Sequence, residues 1–558
     1  MLTRRDLLAR GALALASVEW NVPRAAAAPV LIPTSRRARR LSPAAYLPEP
    51  LSDELFRTLA RAAVDAAAAA GAEFADVRVG MQRQMSVPSL PYSPMASMTV
   101  GYGVRVRVRG TWGFQYGSMM TTDAVTSAAR SAVVGAVRSA ATNERLGRKT
   151  MRQLAPVPVV TGEWRSPCEI DPFTIPLDDA YRIVGAISET TAKVHRNHFV
   201  GGGSIDWRAE TRVFASTDGS LTTQHFMRGG PRLSGATTLP ENTMDKVYLD
   251  LPGLEETSAG FETVLRPDWI EYLQTGVDEI IRLRELPVRP FLDVGRFPIV
   301  FEGASFANIV GNTVNSALDG DRVMGIEADA SGTSFLVPPD EILDAATPQF
   351  SPLLTVTIDR RLPSTAAVQW DDEGVVPEPY TAIDRGRVVE YHMTRETAPM
   401  LAEWYAKHGR PLRLRGTGIA MTPANIPVCG GTRMSVQPAS THARIDDFTK
   451  DMMHGFYVRS GWANPEPGLT AGTCGTSTVV EIVRGKPVSR TMLSLEFVTK
   501  TLLKDKLVAI GDATTVRPTL IDTFKGIPYQ QVLQLVSAPA AFCKDVDVFA
   551  WLAGASDS

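Results

Sequence analysis

Apolar positions along the chain switch between a helical and a strand period. Leu55, Leu59 and Ala63 keep one face apolar behind Ser52 and Asp53, which supply N-cap chemistry, and Gly71 closes the run; this predicts a helix. Alternation takes over in Phe74-Ala75-Asp76-Val77-Arg78-Val79, a strand pattern. Two more strands are predicted over Thr99–Arg109 and Thr111–Tyr116, hinged at Gly110. From Val104 to Arg109 the valines face one side and the arginines the other. Thr121, Thr122 and Asp123 cap a helix reaching about Ala141, and another helix spans Asp178–His195. Strands follow over Trp207–Phe214, Leu221–Arg228 and Val247–Leu251, with Gly201-Gly202-Gly203 and Asp218-Gly219 as turns. A last helix covers 268–284, and Pro287, Pro290 and Pro298 mark a domain boundary.

The stretch Phe297–Thr333 opens on a β-prone run, Pro298–Phe301, and becomes helical from about Ala304 to Leu318. Phe306, Val310, Val314 and Leu318 recur every four residues, which drifts slowly around a 3.6-residue helix but still makes one apolar stripe. Ser305, Asn308, Asn312 and Ser316 form a second stripe of short polar groups, so a half-buried helix is expected, ending at Asp319-Gly320-Asp321-Arg322. Beyond it, short β-prone runs separated by glycine and proline predict an antiparallel domain.

With 558 residues, 44% apolar and 21% charged, the chain is long enough for two domains or more. A net charge of −2 gives no global attraction to nucleic acid. The arginine face of 104–109 lacks an interleaved aromatic platform, so it is expected to be solvated or to line a polar cavity. Residues 1–28 read as a targeting segment: Thr3-Arg4-Arg5-Asp6-Leu7-Leu8 matches the twin-arginine pattern, a short apolar run follows, and Ala25–Ala28 offers a cleavage site. No segment is long and apolar enough to span a bilayer. Arg36-Arg37-Ala38-Arg39-Arg40 lies in a Pro/Arg-rich stretch, 29–50, expected to be a solvated linker.

Metal-ligand candidates are few. His195 and His198 have His-x-x-His spacing but run into glycines. Cys429, His442, His454 and Cys474 share a domain, though their spacings match no zinc pattern. Cys168, Cys429, Cys474 and Cys543 form an even set in a chain expected to be exported; Cys429 with Cys474 is the disulfide to test, and buried free thiols are the simpler account.

The strand, helix and "LDGDRV" ending of 297–333 resemble the TldD/PmbA family of zinc peptidases, historically linked to DNA gyrase. So do "GVRVRVRGTWGFQYGS", the strand 388–393 leading to Thr394-Arg395-Glu396-Thr397-Ala398, Arg433–Pro438, His454–Val458 and Val479–Pro487. The resemblance runs from Leu51 to Val548. It implies an α+β protein: an N-terminal α/β domain with a mixed sheet over 51–286, a mainly antiparallel β domain over 287–548 carrying the metal-site helix, and a tail over 549–558.

In TldD-type members that helix carries His-Glu-x-x-x-His before Leu-Glu-Gly-Asp-Arg. Anchoring on Gly320-Asp321-Arg322 puts Gly311 and Ser316 at the two His positions and Asn312 at the Glu position. The family's third ligand, a cysteine in a Cys-Gly-Lys setting, is also missing around Ile521–Gln530. Glycine offers zinc no ligand, serine is a poor one, and the Asn312 amide cannot take a proton from water. The family therefore implies a hydrolase, but this chain is expected to bind no zinc and to be inactive alone. Family members form dimers around an internal cavity, and some pair a metal-bearing subunit with a metal-free one. The implied role is a zinc-free partner in periplasmic proteolysis, paired with a zinc-bearing TldD-like paralogue or with itself, acting on a peptide and not on nucleic acid. Asn308, Asn312, Ser316, Asp319, Asp321 and Arg322 are its expected substrate-binding residues. Alternatives are an active metallopeptidase with ligands from elsewhere and a non-enzymatic peptide-binding protein.

Overall fold

The computed structural model describes residues 30–32, 35–88, 93–148, 153–194, 199–239, 242–249, 257–265, 278, 282–283, 285–289, 294–430, 432–465, 472–491 and 495–550. The targeting segment, His195, His198, most of the helix expected over 268–284 and the tail after Ala550 lie outside them.

The N-terminal half is built on an eight-stranded sheet in which Thr161–Arg165 runs parallel to its neighbour and the other pairings are antiparallel. Its centre is formed by Phe74–Pro88, Met95–Val108 and the long hairpin Phe199–Ser216 with Leu221–Leu239. The helices Asp53–Ala69 and Thr122–Arg145 cover one face, and Val77, Val79, Val104, Val106 and Val213 bury against them. Ser52 and Thr121 cap these helices as expected, each side chain accepting a backbone N–H three residues on.

Alternation then forces Asp76, Arg78, Arg105, Arg107 and Arg212 onto the other face, where they are buried. That face is not solvated: residues 371–373 and 420–425 of the C-terminal half close over it. Arg105 reaches Glu373 at 3.0 Å as well as Asp76, and Arg78 donates to the Asp372 carbonyl. Arg109, at the turn, is the exception, pairing with exposed Glu144.

Two expectations are corrected here. Gly201-Gly202-Gly203 is no turn but lies within the strand Phe199–Ser216, paired with Leu233, Ser234 and Gly235; the actual turn is Asp218-Gly219, where Gly219 has φ +98°. The 29–50 stretch is docked in part, although Arg37 and Arg40 stay exposed. Val30–Leu31 adds an edge strand beside Met95–Ala96, Ile32 is fully buried, and Arg39 lies over the Tyr181 ring. Buried Ile32 and Pro43, on either side of the arginines, anchor it.

The C-terminal half contains a six-stranded and a seven-stranded sheet, antiparallel apart from one parallel pairing in each. The helix that follows Gly295–Phe301 lies between them, touching His454–Pro465 of one and Arg517–Lys525 and Gln530–Ala538 of the other. A helix packed between two sheets must be covered all round. Phe306, Val310, Val314 and Leu318 are each fully buried, and so are Ser305 and Thr313; the expected half-buried helix is internal except at half-buried Asn308.

Candidate functional site

The internal helix is α-helical over Gly303–Ile309 and widens to π geometry over Val310–Asn315. A four-residue apolar spacing drifts off a 3.6-residue helix, and the wider i→i+5 turn absorbs that drift. Widening also breaks the expected polar stripe. Asn308 is half-buried and accepts from Asn312 Nδ2 at 3.1 Å, while Ser316 Oγ donates back to the Gly311 carbonyl at 3.4 Å. The helix does not run on to Asp319: a separate short helix, Gly320–Val323, starts there, and Asp319 bridges to His392.

Gly311 fixes how closely the helix approaches the strand Arg517–Lys525. A Cβ built on it would lie 2.3 Å from Ile521 Cδ1 and 3.0 Å from Val536 Cγ2. The position of the family's first ligand thus faces an aliphatic wall with no room for an imidazole. Gly311, Asn312 and Ser316 do not form a zinc site: one has no side chain, one is an amide bonded to Asn308, and one is a hydroxyl turned to its own backbone.

Below the π turn lies a polar cluster. Lys525, buried to 1% exposure of its side chain, donates to Asp319 Oδ2 at 2.8 Å, Asp321 Oδ1 at 2.6 Å and the Cys429 carbonyl at 2.7 Å. Burial opposes the Lys525 charge, but the two carboxylates outweigh it and raise its pKa. Burial pushes Asp319 up to about 7 against the pull of Lys525, with Asp321 adding repulsion. Asp321 also accepts the Cys429 amide, and Arg322 donates to the Ser331 carbonyl. Asp319, Asp321 and Arg322 are therefore internal groups held by the chain itself.

Above it, His392 is fully buried. Its Nε2 lies 2.7 Å from Asn315 Oδ1, and its Nδ1 meets the Tyr380 hydroxyl. Asn315 Oδ1 also accepts from Thr432, and its amide nitrogen donates to Gln534. The amide oxygen can only accept, so Nε2 carries the proton and Nδ1 accepts from Tyr380. Burial, aided by nearby Lys525, lowers the His392 pKa to about 3, so the ring is neutral near pH 7.

The other candidates do not converge. Cys429 is a free thiol donating to the His392 carbonyl at 3.1 Å; His442 pairs with Asp447 and Asp512, and His454 with Glu481. Cys168 and Cys543 are also free thiols, and the Cys474 side chain is outside the described residues. One cluster escaped the sequence reading: His225 Nε2 lies 3.1 Å from Asp53 and 3.4 Å from Glu163, with Arg57 and Arg165 on Glu163. The two guanidiniums already supply the positive charge a metal would bring, and we read it as an ion-pair clasp between the first helix and the sheet. Lys525, His392, Asn315 and Gln534 were missed too. A histidine set between Tyr391 and Met393 in a strand-like run was the one signal available for them.

Residues 294–536 match the model of the PmbA/TldA metallopeptidase C-terminal domain. Three solved structures share the fold. A Bacteroides thetaiotaomicron protein assigned as a candidate modulator of DNA gyrase is 14% identical, with TM-score 0.64 over 90% of this chain and 100% of its own. TldE from Thermococcus kodakarensis is 14% identical, with TM-score 0.62 over 88% of this chain and 99% of its own. A candidate modulator of a DNA gyrase from Thermotoga maritima is 12% identical, with TM-score 0.62 over 88% and 100%. Curated proteins yield no match. The chain is thus similar to the TldD/PmbA family in sequence over residues 294–536, and it shares the fold of these three structures nearly from end to end.

Proposed function

We propose that this chain is a zinc-free partner subunit of a periplasmic peptide-processing assembly, exported by the twin-arginine route and paired with a metal-bearing TldD-like paralogue. The observation that supports this reading most directly is Ile521 packed into the space beside Gly311, where a ligand side chain would have to stand. Loss of a ligand alone would leave a hole. Here the space is filled and the helix is tied down by Asn315, His392 and Lys525, so the fold is kept without the metal. Metallopeptidase chemistry needs an open coordination position and a base beside it, and this chain supplies neither at those residues. Its likeness to proteins assigned as gyrase modulators gives no expectation of DNA binding, given the net charge of −2 and the buried arginine face.

The test is co-expression with a paralogue carrying an intact His-Glu-x-x-x-His. The two should co-elute, and the paralogue's peptide cleavage should depend on this chain. Separate elution, with neither protein altering the other's proteolysis, would sink the proposal. Zinc analysis of the chain purified without chelator bears on the metallopeptidase alternative: stoichiometric zinc lost in His442→Ala or His454→Ala would establish it instead. Light scattering separates a homodimer from a heteromeric complex. Export is tested by Arg4→Lys with Arg5→Lys, which should hold the protein in the cytoplasm.

A further inference from the structure

The strand Thr111–Gly117 lies on the rim of the eight-stranded sheet, paired antiparallel with Met95–Val108 on one side and with no strand among the described residues on the other. Arg109 and Gly110 make the two-residue turn into it, both with positive φ, +50° and +74°. In such a turn the closing pair, here Val108 and Thr111, is hydrogen-bonded across the hairpin, and the pattern alternates from there. The main-chain N–H and C=O groups of Trp112, Phe114 and Tyr116 therefore point to the open side, and no described residue bonds to them.

Open edges invite pairing, and proteins blunt them with charges or proline. The strand at the end of the six-stranded sheet, Arg517–Lys525, carries Pro518 and Asp522, and Thr161–Arg165, at the other rim of the eight-stranded sheet, carries Glu163 and Arg165. Thr111–Gly117 has neither a charge nor a proline. It has aromatics instead. Trp112, Phe114 and Tyr116 share one face, and the Phe114 and Tyr116 rings stack with centroids 5.9 Å apart, each half-buried. Arg105 and Arg107 cover Trp112, so Phe114 and Tyr116 are the rings that an incoming chain meets.

The other face of the strand limits what can lie beside it. There Gly113 runs directly beneath the helix Thr122–Arg145, so close that a Cβ on it would run into the Ala132 carbonyl. Paired strands stand about 4.8 Å apart, whereas a helix with its side chains is about 10 Å across. A second copy joined edge to edge would therefore bring its own helix into the space of the first. An extended segment with no helix behind it fits, and the unpaired groups are those that a peptide main chain satisfies. With no charged side chain on the strand, and with Arg105 already paired to Asp76 and Glu373, the aromatic face suits neutral, apolar side chains.

We propose that the open edge of Thr111–Gly117 captures an extended peptide by strand addition, main chain to main chain, with apolar side chains at alternate positions against Phe114 and Tyr116. The site belongs to the N-terminal half, so the inference goes beyond the partner-subunit reading and does not require the paralogue. The experiment uses the full chain and fluorescence anisotropy of dye-labelled Gly-Val-Thr-Phe-Thr-Val-Gly amide, with two relatives: one N-methylated on both valines, the other on both threonines.

The parent peptide should bind, and methylation of one set alone should weaken it about 10-fold or more, because only alternate N–H groups of an added strand face the edge. Loss from the valine set marks antiparallel addition, and loss from the threonine set marks parallel addition. Phe114→Pro removes an outward N–H and no hydrogen bond of the sheet, so it should weaken binding and erase the difference between the methylated peptides. Phe114→Ala keeps the main chain and should weaken binding while preserving that difference. Absence of binding overturns the inference, as does equal loss from both methylated peptides in the wild-type chain, which needs no variant to fold. A dimer seen by light scattering that Phe114→Pro dissolves would assign the edge to a second copy and overturn it too. Complex formation with the paralogue is read separately. If it fails while the methylation contrast holds, only the partner reading falls; if the contrast is absent while the complex forms, only this inference falls.

Discussion

Around Lys525 the chain sets two buried carboxylates, Asp319 and Asp321, against Lys525 at hydrogen-bond distance, whereas the cleft along the hairpin Phe199–Ser216 with Leu221–Leu239 sets Arg208 opposite Arg228 while its carboxylates, Glu210 and Asp372, sit closest to Arg212. Both places bring together residues far apart in sequence, and both are polar regions inside a folded chain. They differ in how closely the charges are paired. Asp319, Asp321 and Lys525 lock three segments through bonds of 2.6–2.8 Å, so their value is structural. In the cleft, Arg208 stands opposite Arg228 and its Nε is buried without a hydrogen-bond partner among the described residues. Polar residues on the internal helix do not by themselves make it the place where this chain meets a substrate.

The comparison breaks most sharply if Lys525 can be removed without cost. Lys525→Met leaves Asp319 and Asp321 buried with their main cation gone, and losing one partner of a buried pair typically costs about 3–5 kcal/mol. Denaturant melts should show that loss, with much of it recovered when Asp319→Asn and Asp321→Asn are added. A melt unchanged by Lys525→Met would mean that the cluster is no lock.

Protonation tests the layer above. His392 has a pKa of about 3 in the fold against an ordinary 6.5, so the unfolded chain binds more protons between those values. Its contribution is present in full above about pH 6.5 and is lost as pH falls toward 3. At 1.36 kcal/mol per pH unit the loss is on the order of a few kcal/mol. Asp319 and Asp371, both pushed up to about 7 mainly by burial, act in the opposite direction, so the wild-type profile alone is mixed. The difference between wild type and His392→Gln isolates the ring: it should shrink from pH 7 to pH 4, and a constant difference would remove His392 from the account.

A smaller effect is expected at Gly311. Gly311→Ala places a methyl against Ile521 and should cost about 1–3 kcal/mol through overpacking. Ile521→Val, which trims the contacting carbon, should restore part of it. If Gly311→Ala is neutral, the helix and strand are not locked in this approach, and the filled-site argument weakens.

The sequence shows why some of this was readable and some was not. Val104 to Arg109 gave strand and faces correctly, because alternation is a local property; what covers the arginines comes from Glu373, 268 residues beyond Arg105, and no window of sequence contains both. The internal helix was placed within a residue or two at its start, but its π turn and complete burial depend on having sheets on both sides. Gly311, Asn312 and Ser316 were legible as lost ligands only through the family motif. Ile521 as the filler, and Lys525 as the partner of Asp319 across 206 residues, required the register of the strands. The triple glycine read as a loop because glycine weakens strands, yet pairing along the long hairpin overrode that local preference.

The smallest effect separates the two regions most cleanly. Arg208 bonds nothing through its buried Nε and opposes Arg228, so Arg208→Gln removes a repulsion and no ion pair that the described residues show. Its stability should hold or rise, by no more than about 1 kcal/mol, the scale of a like-charge cross-strand contact. The gain should shrink in high salt, because the repulsion is partly screened at a half-buried site and more so as ions are added. Thermal melts of wild type and variant at low and high salt measure both. A clear loss of stability at either ionic strength would mean that Arg208 already has its partner within the fold.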